Sequence, residues 1–406
     1  MQPKIPNLRF PRYTGDWNPA SLSKFIISLD SGVSVNSSDQ PAKQNSLGIL
    51  KTSCVSGGKF LPDENKIILE NDIERARLNP KKGAILISRM NTPELVGELG
   101  YIDQDFMNLF IPDRLWMTNT TSDIDTQWLT YLLVTPRMRY MISSIATGTS
   151  GSMKNISKPN FLGLNLNYPS LPEQQKIASF LSEVDKKIQL LTRKKELLVQ
   201  YKKGVMQKLF TQEIRFKDNN GKDFPDWEEL RAKEVFKNHT NKDHNGDLPI
   251  LAATQDKGVV PRDSIGIEIQ SSEASIKSYK VVEQGDFVIS LRSFQGGIEY
   301  SSYLGICSPA YTILKPSKDL NKEFFRYYFK KEDFISRISK TVIGIRDGKQ
   351  ISYDAFSGLK LPFPCTAEQQ KIATFLKALD LKILKVEEQI TGVTKFKKGL
   401  LQQMFV

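Results

Sequence analysis

The chain has 406 residues, of which 39% are hydrophobic and 25% charged; this composition is typical of folded domains, and the length suggests more than one. Its formal net charge of +12 favours a polyanionic partner. Three widely spaced cysteines and two histidines in a polar loop argue against a disulfide framework and a zinc site. The first residues contain no apolar signal region and no run of 18 apolar residues follows, so we expect a cytoplasmic protein without a membrane segment.

Residues 1–168 are predicted to form a first globular domain. The β-rich run at residues 83–88 and the aromatic helical segment at residues 128–133 indicate a mixed α/β fold of the α+β kind. At helical spacing, the aromatic side chains of the second segment are typical of a core rather than of a base-stacking surface.

Residues 169–213 are predicted to form a long helix. After Pro172 no proline occurs until Pro225, and apolar residues recur at steps of three and four along one face. A helix of about 38 residues would be roughly 57 Å long, and a single apolar stripe of that length requires a partner.

Residues 214–364 are predicted to form a second globular domain, and residues 365–406 a second long helix. The strand-like runs at residues 285–290 and 310–314 and the aromatic segment at residues 324–329 again indicate α/β structure. The same apolar stripe marks the C-terminal helix.

The two halves are copies of one unit. Residues 173–181, EQQKIASFL, return 195 residues later as EQQKIATFL at 368–376. We therefore expect a pseudo-twofold repeat of two globular domains separated by two long helices that form an antiparallel coiled coil. Two separate amphipathic helices, each on its own domain, are the alternative. The residues predicted to form the helix pair and to dock partner subunits are Gln174, Ile177, Phe180, Leu181, Val184, Ile188, Gln369, Ile372, Phe375, Leu376, Leu379 and Ile383.

The loops of the two domains differ although they recur at similar positions. Arg, Asn and Gln can make bidentate contacts with base edges, while glycines and hydroxyl groups allow close approach to phosphate. An ordinary surface loop would explain any one of these residues equally well. The residues predicted to contact DNA are Lys51, Ser53, Arg89, Asn91, Thr149, Ser150, Lys154, Thr254, Gln255, Arg292, Ser293, Gln295, Arg346 and Lys349.

Catalytic motifs are missing from the sequence. Residues 344–350 lack the spacing of a phosphate-binding loop, and no methyltransferase motif of the Asn/Asp-Pro-Pro-Tyr/Phe type occurs. The Glu-x-Lys triplet at Glu64 and Lys66 has no counterpart in the second half and is readily explained by chance. A large basic chain without these motifs is typical of a recognition subunit.

The order of domain, Pro-Ser-Leu-Pro-Glu-Gln-Gln-Lys-Ile-Ala helix (169–178), domain and Glu-Gln-Gln-Lys-Ile-Ala helix resembles the specificity subunit of type I restriction–modification systems. Residues 87–97 are similar to the first recognition domain of that family. The second copy departs at 364–367, where Pro-Cys-Thr-Ala replaces Pro-Ser-Leu-Pro.

The resemblance implies that each globular domain is a target recognition domain reading one half of a bipartite double-stranded DNA sequence. The two helices would fix the spacer and dock two methyltransferase subunits, and restriction subunits would join that complex. S-adenosylmethionine, ATP and Mg²⁺ would belong to those partners, with none bound by this chain. A subunit of a methylation-only complex, an adaptor that does not read DNA and a single-chain enzyme remain as alternatives.

Overall fold

The computed structural model describes residues 5–43, 46–148, 152–266, 273–291, 293–341 and 351–406. The chain divides into two compact units. The first unit comprises Met1–Thr192 and Glu388–Val406, and the second comprises Arg193–Glu387. Each unit therefore contains a globular part and a segment of both long helices.

The long helices form where the sequence predicts them. α4 begins at Leu171, which places Pro172 in the first turn, where the missing amide hydrogen costs nothing. It ends at Phe210, just before Gln212 takes a left-handed conformation with φ of 60°.

No helix among the described residues is long and apolar enough to span a membrane. The α-helices are α1 (Thr126–Leu133), α2 (Pro136–Ser144), α3 (Lys158–Leu162), α4 (Leu171–Phe210), α5 (Ala232–Val235), α6 (Glu273–Ile276), α7 (Ser293–Gly296), α8 (Lys322–Tyr328), α9 (Glu332–Ser339), α10 (Tyr353–Ser357) and α11 (Thr366–Gln403), and short 3-10 turns lie at Leu22–Lys24, Thr52–Cys54, Glu70–Arg75 and Arg262–Ile265.

The first unit is built on a six-stranded sheet in the order β2-β11-β7-β9-β5-β4, in which only the β5–β9 pair is parallel among the described pairings. The predicted run at residues 83–88 becomes β7, which is fully buried. Smaller sheets are β10-β3-β6, β1-β13 and β8-β12. The strands are β1 (Asn18–Ser21), β2 (Ile26–Asp30), β3 (Gly48–Leu50), β4 (Val55–Ser56), β5 (Gly58–Phe60), β6 (Asn65–Ile67), β7 (Ile85–Ser88), β8 (Met90–Asn91), β9 (Leu99–Tyr101), β10 (Leu109–Phe110), β11 (Leu115–Thr120), β12 (Lys154–Asn155) and β13 (Asn165–Tyr168).

The core of the first unit joins its globular part to both long helices. Trp128 of α1, Leu181 of α4 and Leu400 of α11 belong to one buried cluster. The Lys397 ammonium of α11 lies 2.7 Å from the Asp185 carboxylate of α4. Burying these apolar side chains together is the main force that holds the two helix segments on the domain.

The second unit repeats this plan with a smaller sheet, β15-β22-β19-β20, and the pairs β14-β23, β16-β17 and β18-β21. The predicted runs at residues 285–290 and 310–314 fall in β19 and β22. The strands are β14 (Glu228–Arg231), β15 (Phe236–His239), β16 (Leu251–Thr254), β17 (Gly258–Pro261), β18 (Lys280–Val282), β19 (Phe287–Ile289), β20 (Glu299–Tyr300), β21 (Gly305–Cys307), β22 (Thr312–Pro316) and β23 (Lys360–Phe363).

The helix segments of the second unit run antiparallel. Lys195 of α4 pairs with Glu387 of α11 at 2.6 Å, and Lys202, further along α4, pairs with Asp380, earlier in α11, at 2.5 Å. Leu209 of α4 shares a buried cluster with aromatic residues of α8. The predicted mixed fold, aromatic cores and antiparallel helix pair are therefore confirmed, and the alternative of two separate helices is wrong.

Candidate nucleic-acid interface

Three residues predicted to contact DNA come together in the first unit. β8 pairs with β12, which brings Asn91 opposite Lys154. Arg89, which precedes β8, donates from Nε to the Asp113 carbonyl at 2.7 Å and from Nη1 to Asn155 Oδ1 at 3.1 Å. These bonds hold the Arg89 guanidinium at the edge of this small sheet.

Lys51 and Ser53 have a different local environment. The Ser53 hydroxyl donates to Glu64 Oε2 at 2.6 Å, and the Lys51 ammonium lies 3.6 Å from the same oxygen. The Ser53 hydrogen bond, followed by the charge of Lys51, lowers the pKa of Glu64. Lys66 instead pairs with Asp39 at 2.6 Å. Glu64 and Lys66 thus pair with different residues. These structural contacts account for the Glu-x-Lys triplet, and a catalytic role is not needed to explain it.

In the second unit the predicted residues lie on a hairpin turn and on α7. Thr254 Oγ1 closes the β16–β17 turn by donating to the Gly258 carbonyl at 2.9 Å and accepting from the Lys257 amide at 3.1 Å. The exposed Gln255 side chain reaches that of Gln295 on α7, with Nε2 and Oε1 3.4 Å apart. The structure therefore places two amide side chains next to each other on one surface.

The prediction for Ser293 is wrong in its assumption of an exposed hydroxyl. Ser293 is 1% exposed, and its Oγ accepts the Ser290 amide at 2.8 Å. The hydroxyl is used to shape the loop that precedes α7. The remaining predicted DNA-contacting residues, Thr149, Ser150, Arg292, Arg346 and Lys349, lie outside the described residues.

The repeated glutamates and glutamines fasten each globular part to its helix. Glu173 accepts from Arg9 Nε at 2.7 Å, and Glu368 accepts from Arg215 Nη2 at 2.9 Å. The side-chain oxygen of the following residue, Gln174, accepts the amide that begins α1. In the same way Gln369 accepts the Asn321 amide at the start of α8, at 2.8 Å.

The buried side chains of the predicted helix stripe therefore make their contacts within their own unit. Gln174 and Gln369 have no exposed surface, and most of the apolar residues of the stripe are buried as well. A docking role for these buried side chains is wrong, because they offer no atoms to a partner. The exposed apolar residues of the two helices are instead Leu190, Leu197, Val199, Tyr201, Leu381, Leu384 and Phe396.

A tyrosine, an aspartate and a lysine form the same cluster in each unit. In the first unit, the Tyr131 hydroxyl donates to Asp185 at 2.8 Å, and the Lys397 ammonium lies 5.2 Å from the tyrosine ring centre. Burial, followed by the charge of Asp185, raises the pKa of Tyr131. The neutral phenol is therefore a dependable donor that fixes α1 on the helix pair.

The second unit builds the cluster from Tyr327, Asp380 and Lys202. The Tyr327 hydroxyl donates to Asp380 at 2.7 Å, and the Lys202 ammonium lies 5.1 Å from the ring centre. Sequence analysis placed Tyr131 and Tyr327 in aromatic core segments and did not assign their hydroxyl groups. Their equivalent places in the two copies were the signal that could have revealed this role.

Beside each cluster lies a cleft bounded by a hairpin turn. In the first unit the β4–β5 turn at Gly57 and Lys59 faces Lys186 and Lys397. The second cleft contains more cationic side chains, contributed by α4, the hairpin turn and the end of α8; they are Lys202, Lys203, Lys257, Arg326 and Lys330. Four of these five side chains are paired with carboxylates, and Lys257, beside the predicted residue Gln255, is the cation best placed to meet a polyanion.

Groups suited to metal binding or nucleophilic chemistry are scarce in the described ranges. No cluster of three or more His, Cys, Asp or Glu side chains there is placed to hold a metal ion. Cys54 and Cys307 are buried, and burial raises the pKa of both thiols, that of Cys307 to about 12. Neither thiol is therefore suited to act as a nucleophile at neutral pH.

Comparison with known proteins gives a consistent result. Residues 42–200 and 225–393 each match the model of the type I restriction modification DNA specificity domain. The chain is 26% identical to the type I restriction enzyme MjaX specificity subunit of Methanocaldococcus jannaschii, over 95% of this chain and 92% of that protein. The MjaVIII specificity subunit of the same organism is also 26% identical, over 84% and 80% of the two chains. In fold, the chain is similar to the crystal structure of a type I restriction-modification S subunit from M. genitalium, with a TM-score of 0.60, 16% identity and 99% of both chains covered.

Proposed function

Because the chain belongs to the type I restriction–modification DNA specificity family, whose domain it contains twice, we propose that it reads a bipartite double-stranded DNA target, with one half read by each unit. Its part in the complex is recognition, and it is not the catalytic subunit. One observation carries the proposal: the same polar contacts fasten both globular parts to the helices, while their exposed loops present different side chains. A common framework with two different surfaces suits two unlike half-sites.

The long helices would fix the number of unspecified base pairs between the halves. α4 has 40 residues and α11 has 38, so each is about 60 Å long. Half-sites read from one face of DNA lie about one helical turn, near 34 Å, apart. Helices of this length are long enough to set such a distance.

The helices would also dock two methyltransferase subunits at equivalent places. Tyr201 is 53% exposed and Phe396 is 55% exposed, and the two aromatic residues are 195 positions apart, as in the strict repeat. Exposed aromatic side chains are enriched at protein interfaces. Restriction subunits would join this complex in the cytoplasm, and S-adenosylmethionine, ATP and Mg²⁺ would bind to the partners.

Methylome sequencing of a host that produces this chain with its methyltransferase partner tests the proposal. The expected result is one methylated motif made of two short specified parts and a fixed gap. A chain with the loops of the second unit exchanged should change one part only. Absence of any methylated motif that depends on this chain would favour an adaptor that does not read DNA, as would DNA binding without a steep dependence on salt.

A further inference from the structure

Lys330 joins two segments of the second unit that carry predicted reading residues. It lies just after α8, and its ammonium donates to the Gln255 carbonyl at 3.2 Å and to the Gly296 carbonyl at 2.8 Å. The first carbonyl belongs to the β16–β17 turn and the second to α7. One cation therefore bonds to the backbone of both segments.

The two segments also pack closely, and the closest contacts are at Gly296 and Gly297. A Cβ atom added to Gly296 would lie 2.5 Å from Gln255 Cγ, closer than real Cβ contacts allow. A Cβ atom added to Gly297, which has φ of +81°, would lie 2.1 Å from the Phe329 carbonyl oxygen. The glycines thus let α7 approach both the hairpin turn and the end of α8.

Glu299 keeps the Lys330 ammonium in place. Its carboxylate accepts from Lys330 at 2.6 Å, and its side chain is only 3% exposed. The second oxygen, Oε2, is buried without a hydrogen-bond partner among the described residues. Burying a carboxylate in this way is costly, and pairing with Lys330 offsets part of the cost.

We propose that Lys330, with Glu299 as its counter-ion, is a positioning residue that fixes Gln255 and Gln295 side by side as one reading surface for one half of the DNA target. The inference rests on the proposed function, because it assigns a structural basis to recognition by the second unit. Two exposed amides at a fixed separation can select adjacent base edges. If the two loops moved independently, the separation of the amides would vary and that selectivity would be lost.

The first unit has a similar tie made from different residues. Arg139 of α2 pairs with Glu98 at 3.1 Å, and Glu98 Oε2 accepts the Gly57 amide of the β4–β5 turn at 2.7 Å. Both units thus hold the hairpin turn through an ion pair: the carboxylate accepts from the turn in the first unit, and the cation donates to the turn in the second. The recurrence supports a role in loop placement, and it provides an internal comparison.

The test uses the chain assembled with its methyltransferase partner and duplexes based on the target found by methylome sequencing. Single base pairs are changed in either half, and binding is measured at several salt concentrations. The variants are Lys330→Met, Glu299→Gln and Gly296→Ala. Lys318→Met is the matched control, since it removes an exposed lysine of the second unit that lies outside the cleft.

Lys330→Met should reduce discrimination at base pairs of one half by about tenfold and leave the other half unchanged. Glu299→Gln, which removes the counter-ion and keeps Lys330, should have the same effect, so the result does not depend on how well the lysine variant folds. Gly296→Ala tests the Gln255 position itself, because its Cβ atom would displace the Gln255 side chain. The slope of affinity against salt should stay as in the parent chain. Arg139→Met, which breaks the ion pair of the first unit, should leave this half unchanged.

Two results would overturn the inference. If Lys330→Met weakens binding to all sequences alike and lowers the salt slope, as loss of a phosphate contact would, then Lys330 touches DNA directly. If Gln255→Ala, Gln295→Ala or Gly296→Ala changes the preferred sequence but Lys330→Met and Glu299→Gln do not, the tie has no positioning role. A failure of the proposed function is distinguishable, because then methylome sequencing would find no motif that depends on this chain.

Discussion

Glu368 is buried at the start of α11 and accepts from Arg215 Nη2 and from the Trp227 indole, at 2.9 and 2.8 Å. Glu173 has the same relation to Arg9 in the first unit. Both arginines come from segments that precede a globular part, so each ion pair ties that segment to the helix. A buried charge pair loses most when only one partner is removed, because the other charge stays without compensation.

Glu368→Gln should lower the free energy of unfolding of the second unit by about 2–3 kcal/mol, since Arg215 would keep its charge without an opposing one. Hydrogen exchange during denaturant titration can follow the second unit separately from the first. Glu228→Gln, at an exposed position of the second unit, is the control and should change little. Equal stability of the two variants would show that the Arg215 pair contributes nothing net.

Glu299 predicts a pH dependence of stability. Burial, opposed by Lys330 and reinforced by the charge of Asp256 in the hairpin turn, raises the pKa of Glu299 to about 7. The folded state therefore binds this proton more tightly than the unfolded state. The free energy of unfolding should fall as pH rises from about 4.5 to about 7, by up to about 3 kcal/mol.

Glu299→Gln removes that titration. The stability difference between Glu299→Gln and the parent chain should shift in favour of the variant across this pH window, because all other groups cancel in the difference. Melting temperatures measured from pH 4.5 to 8 would reveal it. A difference that stays constant with pH would mean that Glu299 is ionised throughout the range.

At the scale of elements, the long helices have one face in the unit cores and another that is free. Tyr201 and Phe396 lie on exposed faces of α4 and α11. We expect Tyr201→Ala and Phe396→Ala each to weaken binding of one methyltransferase subunit, and the double variant to weaken both, because exposed aromatic residues supply much of the energy of an interface.

Native mass spectrometry of the reconstituted complex would count the methyltransferase subunits per chain. Tyr140→Ala is a suitable control, since Tyr140 is an exposed aromatic residue on α2 rather than on the long helices. Full occupancy with the double variant would place the docking surface elsewhere.

The long helices and the central strands could be predicted from sequence because their signals are local. Steps of three and four without proline predict α4, and a short apolar run after Gly83 predicts β7. The contacts that the loop side chains make could not be predicted in the same way. Whether Ser293 meets solvent or the Ser290 amide depends on how the chain folds back, and Lys330 meets Glu299 only through tertiary packing.

The sequence named candidate reading residues but not how they come together. The pairing of β8 with β12 brings Asn91 opposite Lys154, and Gln255 lies beside Gln295; neither proximity could be inferred from the sequence. Whether they contact bases stays a prediction. The residues that hold these loops in place, such as Glu98 and Lys330, belong to no sequence motif. In a sequence they cannot be told from any other charged residue near a turn.

At the scale of the whole molecule, the residues that match closely between the two copies (the strict part of the repeat) and those that differ (the loose part) have different roles. The strict part contains Glu173, Gln174 and Asp185 with their counterparts, and it fastens each globular part to both helices. The loose part contains the loops. Because the fastening contacts of each unit are made within that unit, a change of helix length between the units can leave both recognition surfaces intact.

The proposed spacing role can therefore be tested by inserting four residues between Thr192 and Arg193 and four between Glu387 and Glu388, where the two units meet along the sequence. Each insertion adds about one helical turn, near 6 Å, and preserves the Asp185–Lys397 and Lys202–Asp380 pairs. Since base pairs are about 3.4 Å apart, the methylated motif should keep both halves and gain about two base pairs of gap. The same insertion after Asn219, in an exposed turn, should leave the gap unchanged. An unaltered gap with both helix insertions would show that the helices do not set it.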